Sequence, residues 1–241
     1  MEFRKRVGKA VQHFWETRAQ QSGRQGAATG SKDAGYRAEA TGGKQLDGFA
    51  DLLTELLVEL GLPGSAIHRR QTTLPGYFRP TKNWDVVVIV DGILLASIEL
   101  KAHVGPSFGN NFNNRVEEAL GSSIDVLAAY REGMFKPSQK PWLGWLMLLE
   151  DAPKSTSPVS VDEPHYRVLT EFRGASYARR YELFCERLVR ERMYDGACLI
   201  LTNRVSGLRG AYTEPNVEFG FAAFATSLTA RVLAHTKSWG Q

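Results

Sequence analysis

Two carboxylates and one ammonium, those of Asp85, Glu99 and Lys101, fall within an apolar stretch in the middle of the chain. Asp85 opens the run Val86-Val87-Val88-Ile89-Val90, and the other two lie in Ile98-Glu99-Leu100-Lys101-Ala102. Charges in so apolar a setting are costly unless they are paired or bind a metal. Two carboxylates at short range suit a hard divalent cation such as Mg²⁺, which keeps several waters and takes substrate phosphate as a further ligand. Such an ion stabilises charge on a phosphodiester and acidifies a water. A lysine beside it can hold or deprotonate that water and neutralise charge in the transition state. The plainer reading is an acid at a strand start and a Glu–Lys pair at a strand end, all on the surface.

The elements around these residues favour the first reading. Side chains alternate along a strand, so Glu99 and Lys101 share one face while Leu100 takes the other. Val86 to Val90 and Ile93 to Ala102 read as two strands joined by Asp91-Gly92, a strong hairpin signal. The hairpin returns Asp85 to the end of the second strand that carries Glu99 and Lys101. Before it, Leu46 to Leu60 is a helix with Leu46, Phe49, Ala50, Leu53, Leu56, Leu57 and Leu60 on one stripe. Asp51, Glu55 and Glu59 lie off that stripe, and Gly61 and Pro63 stop the helix. Ile67 to Thr73 is a further candidate strand. After the hairpin come a Gly/Pro/Asn loop, a helix over Asn114 to Arg131, and a buried strand over Trp142 to Leu149. A Pro/Ser/Thr loop over Ala152 to Pro164, an amphipathic helix over Ala175 to Met193 and a short strand over Ala197 to Thr202 follow. The last helix starts near Pro215 and turns Val217, Phe221, Phe224, Leu228 and Val232 inward. This order predicts an α/β fold with a mixed central sheet flanked by helices.

Ahead of these elements, Phe3 to Gln20 reads as a helix. The Gly-rich, basic segment Gly23 to Lys44 buries little apolar surface and reads as loop, either a plain linker or a flexible arm that orders on DNA. The 241 residues fit a single domain over 1–241. A net charge of +4 permits a polyanionic partner without requiring one. No apolar run approaches the roughly 20 residues of a membrane-spanning helix. The charged N-terminus leads into no apolar signal core, so a cytoplasmic location is expected. Cys185 and Cys198 have no metal-ligand spacing and read as buried free thiols.

Asn83-Trp84-Asp85, the hairpin, and Glu99-Leu100-Lys101 resemble the PD-(D/E)xK nuclease motif, with Trp84 where the motif has proline. The helix–meander–helix–strand order is similar to that superfamily's core. The stretch Phe78 to Arg131 further resembles the XhoI type of type II restriction endonuclease. That resemblance implies Mg²⁺-dependent cutting of both strands of double-stranded DNA at the palindrome CTCGAG, with 5′-phosphate and 3′-hydroxyl ends. It also implies a homodimer and a cognate DNA methyltransferase as genetic partner. Asp85 and Glu99 would hold the metal with the Leu100 carbonyl, and Lys101 would position or activate the water. In some members an acid on the preceding helix assists; here Glu59 or Glu55 could do so, or both are simply solvated. A repair or recombination nuclease with the same core, or a DNA-binding module without catalysis, are the competing readings.

Phosphate contacts come from Arg, Lys and amides, and base edges are read by residues such as Arg, Asn and Gln. The loop Ser107 to Arg115, with Asn110, Asn111, Asn113, Asn114 and Arg115, follows the second strand and is expected near the scissile phosphate. Arg69, Arg70 and Gln71 form a second cluster, Arg79, Lys82 and Asn83 a third, and Arg204 and Arg209 a fourth. His103 shares the face of Lys101 and reads as a structural histidine or a phosphate contact.

Overall fold

A computed structural model describes residues 2–26 and 44–238. Among the described residues, the central sheet has five strands in the order β1-β4-β5-β6-β7. They are β1 (Ile67–His68), β4 (Val86–Val90), β5 (Ile93–His103), β6 (Trp142–Glu150) and β7 (Gly196–Thr202). β1, β4 and β5 pair antiparallel, whereas β5, β6 and β7 run parallel. The mixed sheet flanked by helices is thus the expected fold. Asp91 and Gly92 both adopt positive φ, 49° and 78°, as a two-residue turn between twisted strands requires.

Helices cover both faces. α1 (Glu2–Gly26), α2 (Asp47–Glu59) and α6 (Phe221–Ser238) pack over one face, against Val86, Val88, Ile98, Leu100, Leu146 and Ile200. α3 (Gly109–Arg131) and α5 (Tyr177–Arg190) pack over the other, against Val87, Leu143, Trp145, Met147 and Leu199. A parallel pair needs a crossover, and α3 and α5 occupy the two crossovers. β6 is buried at all nine positions, which is why it reads as a continuous apolar run. A short turn, α4 (Pro153–Thr156), interrupts the predicted loop after β6. Cys185 and Cys198 are free and buried. Among the described residues, no helix is long and apolar enough to cross a membrane.

Several boundaries differ from expectation. α1 runs on to Gly26, so Gly23 to Gly26 are helical; Gln45 donates to Gln21 at 2.6 Å and ties this end of the helix to the start of α2. The rest of the Gly-rich segment, residues 27–43, lies outside the described residues. Ile67 to Thr73 divides into β1 and a separate strand, β2 (Thr73–Pro75), because Arg69 turns back to pair with Asp47 and Asp51 on α2. The Asn-rich segment is not a loop: Gly109 to Arg115 form the first turns of α3. Phe108 against His103 and Phe112 against Tyr181, with ring centroids 4.8 and 4.9 Å apart, dock the start of that helix. The last helix begins at Phe221, not near Pro215. Glu214 accepts from the Phe221 amide at 2.7 Å, and Val217 is 80% exposed instead of inward.

Among the described residues, β2 pairs only with β3 (Thr81–Asn83), forming a two-stranded ribbon beside the sheet. Its turn is fastened to α3 by Asp125, which is 4% exposed. The Asp125 carboxylate accepts from the amides of Tyr77 and Phe78 at 2.8 and 2.7 Å and from Arg79 Nε at 2.8 Å. Burial alone would raise this carboxyl, but the Phe78 amide, the Arg79 guanidinium and the Tyr77 amide outweigh it and hold the group below the usual range. Since the folded value is the lower one, the stabilisation is complete above the unfolded value, about 3.9, and fades as pH falls through the folded one. Asp125→Ala is therefore expected to cost on the order of 3 kcal/mol at neutral pH in urea unfolding. The gap to the parent should narrow below about pH 4; a gap independent of pH would contradict the role given to the ionised carboxylate.

Candidate active site

The ladder pairs Val86 with Ile98, and the Asp85 amide continues it by donating to the Ile98 carbonyl at 3.1 Å. Asp85 therefore stands across from Glu99. Its Oδ2 accepts from the Leu100 amide at 2.7 Å, which locks the side chain onto β5. Glu99 and Lys101 share one face of β5, with Trp145 and Met147 as their partners on β6. Sequence alternation and hairpin register thus bring all three predicted residues together.

Glu99 is the most enclosed of the three, at 2% exposure. Its Oε1 lies 2.6 Å from Lys82 Nζ and 3.0 Å from Lys101 Nζ. Burial raises the Glu99 carboxyl, but the charges of Lys101 and Lys82 more than offset this, and it ends below its usual range. Asp85 ends above its usual range: burial raises it, and Lys101 and the Leu100 amide only partly compensate. For Lys101, burial acts to lower the ammonium value, but Glu99 and Asp85 outweigh it and keep the group protonated. The site is a balanced set of two anions and two cations.

Glu99 Oε2 is buried without a hydrogen-bond partner. Ser97 Oγ and Trp145 Nε1, at neighbouring positions on the same sheet face, share that lack. A carboxylate with spare acceptor capacity, facing a second carboxylate at a strand end, fits a hard divalent cation. Among the described residues, no group of three or more His, Cys, Asp or Glu side chains could enclose a metal ion. The donor set thus fits an ion that draws further ligands from water and substrate, not one caged by protein.

The three residues line a cleft of about 700 Å³. Its other walls include Arg18 of α1, Gln45 and Leu46 before α2, Arg79 and Lys82 of the ribbon, and Asn111, Arg115, Glu118 and Ser122 of α3. Lys82 was expected as a DNA contact, in a basic cluster with Arg79 and Asn83. Pairing of β3 with β2 instead carries it to Glu99, with its ammonium also 4.9 Å from the Trp84 ring centroid. Arg18 and Glu118 were not anticipated. Arg18 has no signal near the motif in sequence, and Glu118 lies in the expected helix over Asn114 to Arg131 with nothing local to say that its face turns to the cleft.

The other named residues divide between the cleft and the outer surface. Asn111 and Arg115 reach the cleft, but Asn110, Asn113 and Asn114 are exposed and do not line it. Arg70 and Asn83 are likewise exposed outside it, and Arg69 is held by Asp47 and Asp51. Arg204 pairs with the buried Glu150, and Arg209 lies beside Lys5 and Lys9 of α1. Glu55 and Glu59 pair with Arg6 at 3.1 and 2.8 Å. Their helix covers the sheet face opposite Glu99, so neither lies with Asp85 and Glu99; Glu118 is the additional acid in the cleft. His103 Nδ1 meets Tyr181 Oη at 2.8 Å and Nε2 meets the Ser107 carbonyl at 3.0 Å. Burial lowers its pKa, and with both nitrogens engaged it is a structural histidine.

Comparison with known proteins agrees with this geometry. The family profile of restriction endonuclease XhoI matches residues 25–214. The type II restriction enzyme BstVI of Geobacillus stearothermophilus is 53% identical over 207 residues, covering 83% of this chain and 92% of that enzyme. The type II restriction enzyme XhoI of Xanthomonas vasicola is 43% identical, over 74% of this chain and 72% of its own. The type II restriction enzyme AbrI of Azospirillum brasilense is 45% identical, over 69% and 75%. Solved structures yielded no significant match. A profile match and an aligned relative that each span most of the chain decide the matter: this protein belongs to the XhoI restriction endonuclease family and is a site-specific deoxyribonuclease.

Proposed function

We propose that this enzyme cuts both strands of DNA at the palindrome CTCGAG in the presence of Mg²⁺, leaving 5′-phosphate and 3′-hydroxyl ends. The target rests on the resemblance of the stretch Phe78 to Arg131 to the XhoI type and on the relative named XhoI. The observation that carries the chemistry is the Glu99 carboxylate, held between Lys82 and Lys101 across from Asp85 in an open cleft. Asp85, Glu99 and the Leu100 carbonyl would hold the ion. When bound, Mg²⁺ would supply Lewis acidity to the scissile phosphate and lower the pKa of a water.

The chain's own residues then have distinct parts. Lys101 orients the attacking water through its ammonium and offsets charge gathering on the phosphate. Lys82, released from Glu99 as the substrate enters, donates to a phosphate oxygen. Arg79, Arg115 and Asn111 contact the duplex along the cleft walls, where cations set register and orientation. The whole chain acts as one nuclease domain in the cytoplasm. A palindromic site matches a two-fold protein, so the enzyme works as a homodimer. A cognate DNA methyltransferase protects the host's own sites.

Plasmid bearing CTCGAG, incubated with protein and Mg²⁺, should give discrete fragments that ligate without kinase treatment. A plasmid lacking the site should stay intact. Discrete fragments from a plasmid that lacks CTCGAG would overturn the proposed target.

Asp85→Ala, Glu99→Ala and Lys101→Ala should each lower single-turnover cutting at least about a hundred- to a thousandfold while unfolding cooperatively. Lys82→Met should lower it by a smaller factor, about tenfold to a hundredfold. Full activity in the Asp85, Glu99 or Lys101 variant would remove that residue from the site. Chelation with EDTA should stop cutting, and added Mg²⁺ should restore it; activity undiminished by EDTA would rule out the metal requirement.

A further inference from the structure

The ribbon turn displays two aromatic rings to solvent: Phe78 is 71% exposed and Tyr77 54%. Single exposed apolar residues are ordinary; this pair differs in its fixity and its location. The rings pack edge to face, with centroids 4.9 Å apart. Both backbone amides beneath them are held by the buried Asp125 carboxylate, which also takes Arg79 Nε. Gly76 completes the clamp, because a Cβ there would collide with Asp125 Oδ2 and the Arg79 carbonyl. The turn is thus a rigid mount presenting apolar groups, a poor use of a surface loop unless something covers them.

What covers them is indicated by the neighbouring residues. Arg79, next after Phe78, lines the cleft that holds Asp85, Glu99 and Lys101, and Lys82 on the same ribbon reaches Glu99 itself. Arg79, adjacent to the aromatic pair in the chain, stands in a wall that also carries Lys101 and Arg115, whose charge suits a polyanion. We propose that Phe78, supported by Tyr77, packs on the bases of the duplex bound in the cleft, and that Asp125 is the positioning residue of this contact. The inference rests on the nuclease reading of the cleft. A phenyl ring donates and accepts no conventional hydrogen bond, so its contribution is apolar contact with base faces or a thymine methyl. Such side chains at the mouth of a DNA site also unstack base steps as wedges.

The test uses the full chain with a short duplex containing CTCGAG, and Ca²⁺ in place of Mg²⁺ to hold the complex uncut. Phe78→Ala should weaken binding about tenfold and raise KM for cutting in Mg²⁺ in step, with thermal unfolding and oligomeric mass unchanged. Phe78→Trp, which keeps a flat apolar ring, should restore binding. Asp125→Asn, which also loosens Arg79, should weaken binding in the same direction, and Phe78→Ala should cost less in that background than in the parent, because the mount of the ring is already lost. A purely structural Asp125 would lack that non-additivity. Parent-like binding and cutting by Phe78→Ala, beside an active parent, would overturn this inference alone. A change in oligomeric mass in that variant would also overturn it, because the rings would then join copies of the chain. A fully active Asp85→Ala variant would overturn the reading of the cleft as the nuclease site, and this inference with it.

Discussion

Glu99 is a charged carboxylate at 2% exposure, and it stays charged only because two ammonium groups lie within 3.0 Å of its Oε1. Removing an ion from water costs several kcal/mol, and only close opposite charge and hydrogen bonds recover it. Much of the surrounding architecture follows from satisfying this one group. Lys101 comes from the same strand two residues on, Lys82 from the ribbon, and Asp85 from the neighbouring strand. The cluster sets two carboxylates against two ammonium groups. It is also poised, because a divalent cation or a phosphate can take over the partners the charges now find in each other.

The sheet meets this requirement by changing direction at β5. On one side β5 pairs antiparallel with β4, which the tight turn brings back so that Asp85 faces Glu99. On the other it pairs parallel with β6, which is buried throughout and backs the site with Trp145 and Met147. A strand between two such neighbours cannot slip by one residue without turning Glu99 and Lys101 into the opposite core. The register is therefore held by apolar packing on both faces of β5. α1 and α3 rise on either side of the strand end and make a cleft of what would otherwise be a sheet edge.

The ribbon of β2 and β3 links local order to this centre. Asp125 fixes its turn, Lys82 completes the charge balance, and Arg79 joins the cleft wall. A short two-stranded ribbon is marginal by itself. Its attachment to α3 through a buried carboxylate explains how so small a piece holds an ammonium within 2.6 Å of Glu99.

The sequence by itself determined the strand pair, its turn, the shared face of Glu99 and Lys101, and the return of Asp85. All of these depend on period-2 alternation and on one Asp-Gly turn, which act over a few residues. It also made the mixed sheet legible, because the uninterrupted apolar runs at Trp142 to Leu149 and Ala197 to Thr202 suit strands covered on both faces. Only the tertiary structure decided that Lys82 belongs with Glu99, that Arg18 and Glu118 reach the cleft, and that Glu55 and Glu59 turn to Arg6 instead. Those outcomes depend on which face of a helix meets the sheet and on where the ribbon folds beside it. Aromatic docking of Phe108 and Phe112 overrode the turn-forming tendency of the asparagines, and no local signal in the chain encodes that choice.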